Sequence, residues 1–324
     1  MTRLETDSVG TSAQTRSIAF RAMNCQMGAW VVSDDKALAE QRLAAVEVFV
    51  RATEASLSRF RPESELSRLN ARQGETVAVS ATLANVLALA LQGARETGGV
   101  YDPTILDALE AAGYDRSFEQ VTDDARPAAP VAPRSVGWQD IQLDVAARRV
   151  TLPVGVRIDL GGIAKGWAAD EAARMLAGVG PCLVDAGGDI VARGRPVEYP
   201  AWPVGIADPR VPDADLALLM VADRGIATSG TDYRRWRRGE TLQHHIIDPR
   251  TRQPAQTDVL SVTVVAPSAA RADLYAKVAL ILGVNEGRRL LEEMPDVEGL
   301  LIDQGGEQHV TSGFARYVYH TAEE

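Results

Sequence analysis

The chain has 324 residues, 46% hydrophobic and 24% charged, the composition of an ordinary globular chain with one or two domains. Its formal net charge of -10 argues against a nucleic-acid partner, which a basic surface would have to hold. No stretch approaches the roughly 18 consecutive apolar residues that a membrane-spanning helix needs.

In chain order, residues 1–17 are polar and read as a disordered tail, with residues 18–324 forming a single domain. The tail has no basic region leading into an apolar core and no lipobox-like cysteine, so the expected location is the cytoplasm. Residues 27–32 have strand character. Residues 37–57 repeat apolar side chains at helical spacing (Leu38, Leu43, Val46, Phe49, Val50). After Arg61-Pro62, residues 64–70 form a short capped turn, and residues 82–97 an amphipathic helix that stops at Gly98-Gly99. Residues 122–135, rich in Pro, Ala and Asp, read as an exposed loop. The alternating run 154–160 reads as a strand that breaks at paired glycines, with helical spacing from Ile163 through Trp167 and Met175. Strands are then expected at 182–184, 202–206, 216–221, 226–229, 244–247 and 260–265, and a helix over 269–282. A hairpin-like pair, 299–302 with 314–319, closes the chain. Helices grouped early and mostly antiparallel strands late predict an α+β fold.

Chemistry concentrates at the ends of these elements. Ile158-Asp159-Leu160-Gly161-Gly162-Ile163-Ala164-Lys165-Gly166 is a strand, a glycine-rich turn and a helix start with a lysine inside. Such a turn receives phosphate: glycines let the backbone approach, free helix N–H groups face the anion, and the lysine adds charge. Two glycines in a strand-to-helix turn are equally compatible with a purely steric role. In Val100-Tyr101-Asp102-Pro103-Thr104, Asp102 and Thr104 are placed to bond local N–H groups. Asp185-Ala186-Gly187-Gly188-Asp189 reads as a strand and tight turn, and Thr228-Ser229-Gly230 with Tyr233 as a ligand-facing loop. His244-His245 lies near Asp248 and Thr251, an imidazole close to a carboxylate and a hydroxyl. Asp273 sits in the first turn of a helix that follows Pro267-Ser268, where a carboxylate suits the dipole. Cys25 and Cys182 read as small buried hydrophobes in preference to a disulfide, and four histidines without paired His/Cys spacing argue against zinc.

Taken together, these segments resemble the ApbE flavin transferases, which move FMN from FAD to a protein threonine. The resemblance spans about residues 20–283. It rests on Phe20-Arg21-Ala22-Met23, the 64–70 segment, Tyr101-Asp102-Pro103-Thr104, the 159–166 turn and Gly187-Gly188-Asp189. It continues with residues 202–209, Ala227-Thr228-Ser229-Gly230, residues 245–251 and residues 267–273. The resemblance implies FAD as substrate and Mg²⁺ beside its pyrophosphate, held by the Gly162 carbonyl and the Asp273 carboxylate. It implies Lys165 at the phosphates, and Met23, Phe60, Val100, Tyr101, Asp102, Thr104, Asp159, Ser229 and Ile247 around the flavin and adenine. It implies His245 as the base that takes the proton of the incoming hydroxyl. The implied partner is an acceptor flavoprotein with an Asp-x-x-Ser/Thr-Gly/Ala-like segment around the modified residue.

Three departures from the family pattern carry expectations. The usual threonine four residues after the metal aspartate is Lys277, which at helical spacing reaches Asp273 and places an ammonium where Mg²⁺ would sit. The usual glycine after Pro249-Arg250-Thr251 is Arg252, so a turn that needs positive φ is expected to differ there. The family's Met-Gly-Thr corresponds to Met23-Asn24-Cys25 in preference to Met27-Gly28-Ala29. Two other readings of the same site are an FAD-binding protein without transfer activity and an FAD pyrophosphatase that gives FMN and AMP.

Overall fold

A computed structural model describes residues 13–131 and 135–319. Residues 1–12 of the expected tail, 132–134 of the expected loop and 320–324 lie outside the described residues. The frame is an antiparallel sheet of eight strands: β1 (Gln14–Ala22), β2 (Cys25–Ser33), β3 (Cys182–Ala186), β4 (Ile190–Arg193), β5 (Arg224–Gly230), β6 (Val259–Ala266), β7 (Glu298–Asp303) and β8 (Gln308–Val310). Their order across the sheet is their order in the chain. Because neighbours run antiparallel, the β1–β2 turn, the β3–β4 turn and the end of β5 fall at one end of the sheet. The candidate site residues gather there.

Helices α1 (Lys36–Leu57), α2 (Glu65–Asn70), α3 (Ala81–Glu96), α4 (Leu106–Ala111) and α5 (Ala164–Ala177) lie between β2 and β3, and α6 (Ala269–Leu282) and α7 (Val284–Glu293) between β6 and β7. Side chains one residue apart on β3 serve opposite cores: Cys182 and Val184 pack with α1 and α5, Leu183 with the hairpin Trp202–Ala207/Asp215–Val221. Every residue of β6 is buried, as expected where both faces are covered. Local chemistry starts the helices. Asp35, Ser64, Ser80 and Ser268 each accept the N–H three residues on, satisfying one orphan donor of α1, α2, α3 and α6. Helix α3 stops because Gly98 and Gly99 take φ of 59° and 85°. No described helix is long and apolar enough to cross a membrane.

Several expectations are corrected. Strand β1 begins at Gln14, so the polar tail reading extends too far, since the alternation of Ser17 to Ala22 carries upstream into pairing with β2. Residues 154–160 join no ladder. Their buried Val156, Ile158 and Leu160 account for the alternation, but the backbone is held by the Asn70 side chain, which exchanges two 2.8 Å bonds with Ile158. Residues 244–247 split at His245-Ile246 between two short ladders, Arg235–Arg238/Thr241–His244 and Ile247–Asp248/Gln253–Pro254. The partner of β7 is β8, while Phe314–Tyr317 is a 3₁₀ turn whose Phe314 plugs the core. Arg252 takes φ 58°, so the turn keeps its left-handed conformation without glycine.

The site depends on how α5 meets α6. The buried Asp170 carboxylate of α5 accepts the N–H groups of Ala269 (2.9 Å) and Ala270 (3.0 Å), capping α6 from outside. A Cβ on Gly166 would lie 2.7 Å from the Ala269 carbonyl group and the Ala270 nitrogen, so only glycine allows this approach. Gly166→Ala should therefore destabilise the fold by about 1–3 kcal/mol, as overpacking against backbone does. Thermal denaturation checks it, and an unchanged melting temperature would mean that α6 is free to shift.

Candidate functional site

A cavity of about 790 Å³ opens at the sheet end described above. Its wall combines Met23–Gln26, Gly187 and Asp189, Thr228–Gly230, the N-terminal turn of α5, the inner face of α6 and the loops around Phe60, Tyr101, Tyr114 and His245. Met23 and Asn24 form the two-residue β1–β2 turn with φ of 52° and 58°, the primed geometry that fits strand twist. Met27 is instead buried under the sheet, which assigns the cavity position to Met23.

Besides the exposed Arg21–Glu119 pair, three buried cation–carboxylate pairs line this cavity. Lys165 is paired with Asp189, whose side chain is 4% exposed. Burial opposes the Lys165 charge, yet Asp189 and Asp273 outweigh it and hold its pKa above the ordinary lysine value. Lys277 is in contact with Asp273 Oδ1. Burial, then the nearby Asp189, raise the Asp273 pKa, while Lys277 and Lys165 pull it down. Asp273 Oδ2 is buried without a hydrogen-bond partner. Arg59 Nε lies 3.0 Å from Asp159 Oδ2, with its guanidinium 4.1 Å from the Phe60 ring centroid and 4.6 Å from that of Tyr114. Its Nη2 is also buried without a partner. Asp159 Oδ1 meanwhile accepts the Gly161 N–H at 2.9 Å, which shapes the glycine turn.

His245 Nδ1 is buried and makes no hydrogen bond. Burial, followed by Arg234 and Lys277, pushes its pKa well below 6.5, so the ring is neutral at pH 7 and carries a lone pair. The adjacent His244 is structural: its Nε2 is 3.0 Å from the Ala255 carbonyl and its Nδ1 accepts the Ile246 N–H. The carboxylate expected beside the imidazole is used elsewhere, since Asp248 accepts the backbone N–H and the guanidinium of Arg250. Both cysteines are free thiols, and burial raises their pKa, that of Cys182 to about 11.

The fold thus brings Met23, Phe60, Val100, Tyr101, Asp102, Asp159, Gly162, Lys165, Ser229, His245, Ile247, Asp273 and Lys277 to one cavity. Thr104 is not in its wall. It is fully buried, and its N–H and hydroxyl bond Asp102 Oδ1 at 2.7 and 2.6 Å, so it positions Asp102 from behind. Sequence reasoning missed Arg59, Tyr114 and Arg234 as cavity residues, because isolated arginines and tyrosines in loops carry no spacing signal. It assigned Asp189 to a turn, although a carboxylate after Gly187-Gly188 could have been matched to Lys165.

The fit of a divalent cation was expected between the Gly162 carbonyl and Asp273. Here the Lys277 side chain runs over Gly162, with Cε 3.3 Å from where a Gly162 Cβ would stand, and ends on Asp273. An ammonium group has donors only and cannot ligate a metal. The residues present do not fit Mg²⁺ at this position.

Comparison with known proteins gives a consistent picture. A profile of the ApbE family matches residues 22–301. An FAD:protein FMN transferase from Treponema pallidum is 35% identical, covering 82% of this chain and 78% of its own. One from Klebsiella pneumoniae is 30% identical, covering 92% and 89%. Among solved structures, an ApbE protein from Thermotoga maritima superposes with a TM-score of 0.82 at 25% identity, covering 95% of this chain and 100% of that one. The flavin transferase ApbE from Vibrio cholerae gives 0.76 at 25% identity, with 94% and 99% covered.

Proposed function

The chain belongs to the ApbE family, and from that premise we infer that it is an FAD:protein FMN transferase which passes FMN to a threonine or serine hydroxyl of an acceptor flavoprotein. The observation that carries this reading is the neutral, unpartnered His245 in one cavity with two lysines on buried carboxylates. A cavity of about 790 Å³ suits a large ligand, and its aromatic rings offer stacking surfaces beside the paired lysines and carboxylates.

The chemistry follows from the charges. In the transfer, the acceptor oxygen bonds to the flavin-side phosphorus of FAD while the bridging P–O bond breaks. AMP leaves with that electron pair, and the hydroxyl proton passes to His245. Negative charge grows on the phosphoryl oxygens and on AMP, where Lys165 and Arg234 stabilise it. A hydroxyl is a weak nucleophile until deprotonated, and His245 holds a free lone pair at neutral pH. Asp159 and Asp102 are placed to accept from flavin, ribose or adenine N–H and O–H groups. Phe60 and Tyr114, already stacked with Arg59, present aromatic surface. The acceptor segment is of the Asp-x-x-Ser/Thr-Gly/Ala kind.

Mixing the pure protein with FAD and a flavoprotein domain carrying such a segment tests the reading. Mass spectrometry should show FMN on the threonine, with AMP released in equal amount. AMP and free FMN without acceptor labelling would make the protein a pyrophosphatase, and unchanged FAD that stays bound would make it a binder.

A further inference from the structure

Lys277 stands where the family resemblance implies a cation, beside Gly162 and Asp273. It lies one turn from Asp273 on α6, and its ammonium contacts Asp273 Oδ1 and lies 3.4 Å from the Asp273 carbonyl. Its Cε and Cδ pass 3.3 and 3.5 Å from the Cβ position of Gly162, so the chain bridges the glycine turn and the aspartate. Both residues are inaccessible enough to hold this geometry, with side-chain exposures of 19% for Lys277 and 2% for Asp273.

We propose that the Lys277 ammonium is the built-in cation of this phosphate site, so that FAD is bound and split without a divalent metal. The charge balance supports it. Asp189 and Asp273 carry two negative charges, and Lys165 and Lys277 supply two positive ones in direct contact. A divalent ion added at Asp273, even on the unpartnered Oδ2, would meet the ammonium on Oδ1 at close range, and like charges so placed repel. The ammonium does part of what a metal ion does: it neutralises phosphate oxygens as a point charge, without imposing octahedral geometry. Substituting threonine at position 277 would remove the charge and offer a hydroxyl oxygen beside the freed carboxylate, a hard-oxygen set that suits Mg²⁺.

The kinetic part rests on the transferase reading, so a binding measurement independent of turnover comes first. Mn²⁺ is titrated into the FAD-loaded protein and followed by electron paramagnetic resonance. The wild type should leave Mn²⁺ free, whereas Lys277→Thr should bind one equivalent at least tenfold more tightly. In parallel, wild-type transfer should change less than about twofold between EDTA and excess Mg²⁺, while the variant should depend on Mg²⁺. One tightly bound Mn²⁺ in the wild type, or wild-type activity abolished by EDTA, overturns the proposal, and both are readable even if the variant does not fold. A wild type that binds no Mn²⁺ and transfers nothing would reject the transferase reading and with it metal-free splitting of FAD, leaving supported only that the ammonium excludes a metal from Asp273.

Discussion

His245→Ala should leave FAD affinity nearly unchanged and slow transfer to the acceptor by about 10²–10⁴, the span of a lost general base. The geometry separates the two effects. His245 has an unpartnered Nδ1 and no bond to the carboxylates or cations that would grip the phosphates, so its loss removes proton transfer and leaves the binding groups in place. Its depressed pKa adds a second signature. Because burial and Arg234 keep the imidazole neutral, transfer should not fall as pH drops through 6.5, and the acid limb should appear lower. Stability behaves differently. The unfolded chain takes up the proton near 6.5 while the folded protein resists it, so the contribution of His245 is complete above about pH 6.5 and shrinks as pH falls below it. His245→Ala should lack that slope. Calorimetry with FAD, single-turnover labelling and melting curves between pH 5 and 8 check all three, and wild-type labelling rates in the variant would reduce His245 to a wall residue.

Much of this site was legible in the sequence because its residues sit at element ends marked by unmistakable punctuation. Gly98-Gly99 stops α3 and so delivers Val100 to Asp102, and the 159–166 turn starts α5 with Lys165 inside. The i,i+4 spacing of Asp273 and Lys277 fixed their contact once residues 269–282 were read as a helix. What escaped depends on partners distant in the chain. Apolar alternation over 154–160 has the period of a strand, yet a side chain 88 residues away, Asn70, replaces the ladder. Local pattern reports which face is buried and not what satisfies the backbone. Arg59 is likewise unreadable alone. Its role arises from Asp159, 100 positions on, and from Tyr114, brought to the same wall by tertiary packing. Asp170 looks like a helix-surface acid until Ala269 and Ala270 arrive on it.

Lys165→Ala should cost more than a phosphate contact. A phosphate contact alone would make removal of the lysine weaken FAD binding by about 1.5–3 kcal/mol, the range of a charge-assisted bond. The structure gives it a second duty, because Asp189 is almost wholly buried against it and Asp273 lies in the same field. Removing one member of a buried pair leaves an uncompensated charge, worth roughly 3 kcal/mol or more of stability. For a chain of this length that is about 5 °C in melting temperature. With Lys165 gone, Asp189 would also drive Asp273 further toward its protonated form. Loss of FAD binding in the single variant therefore mixes two causes, and a paired substitution separates them. Lys165→Met with Asp189→Leu removes both charges and keeps similar volume, so the melting temperature should recover most of its loss. FAD affinity should not recover, since the cation proposed to meet the phosphates is still missing. Melting curves and calorimetry on the wild type, the single and the double variant decide the matter. If affinity returns together with stability, Lys165 serves only to hold Asp189, and the phosphate charge must be met by Lys277 and Arg234.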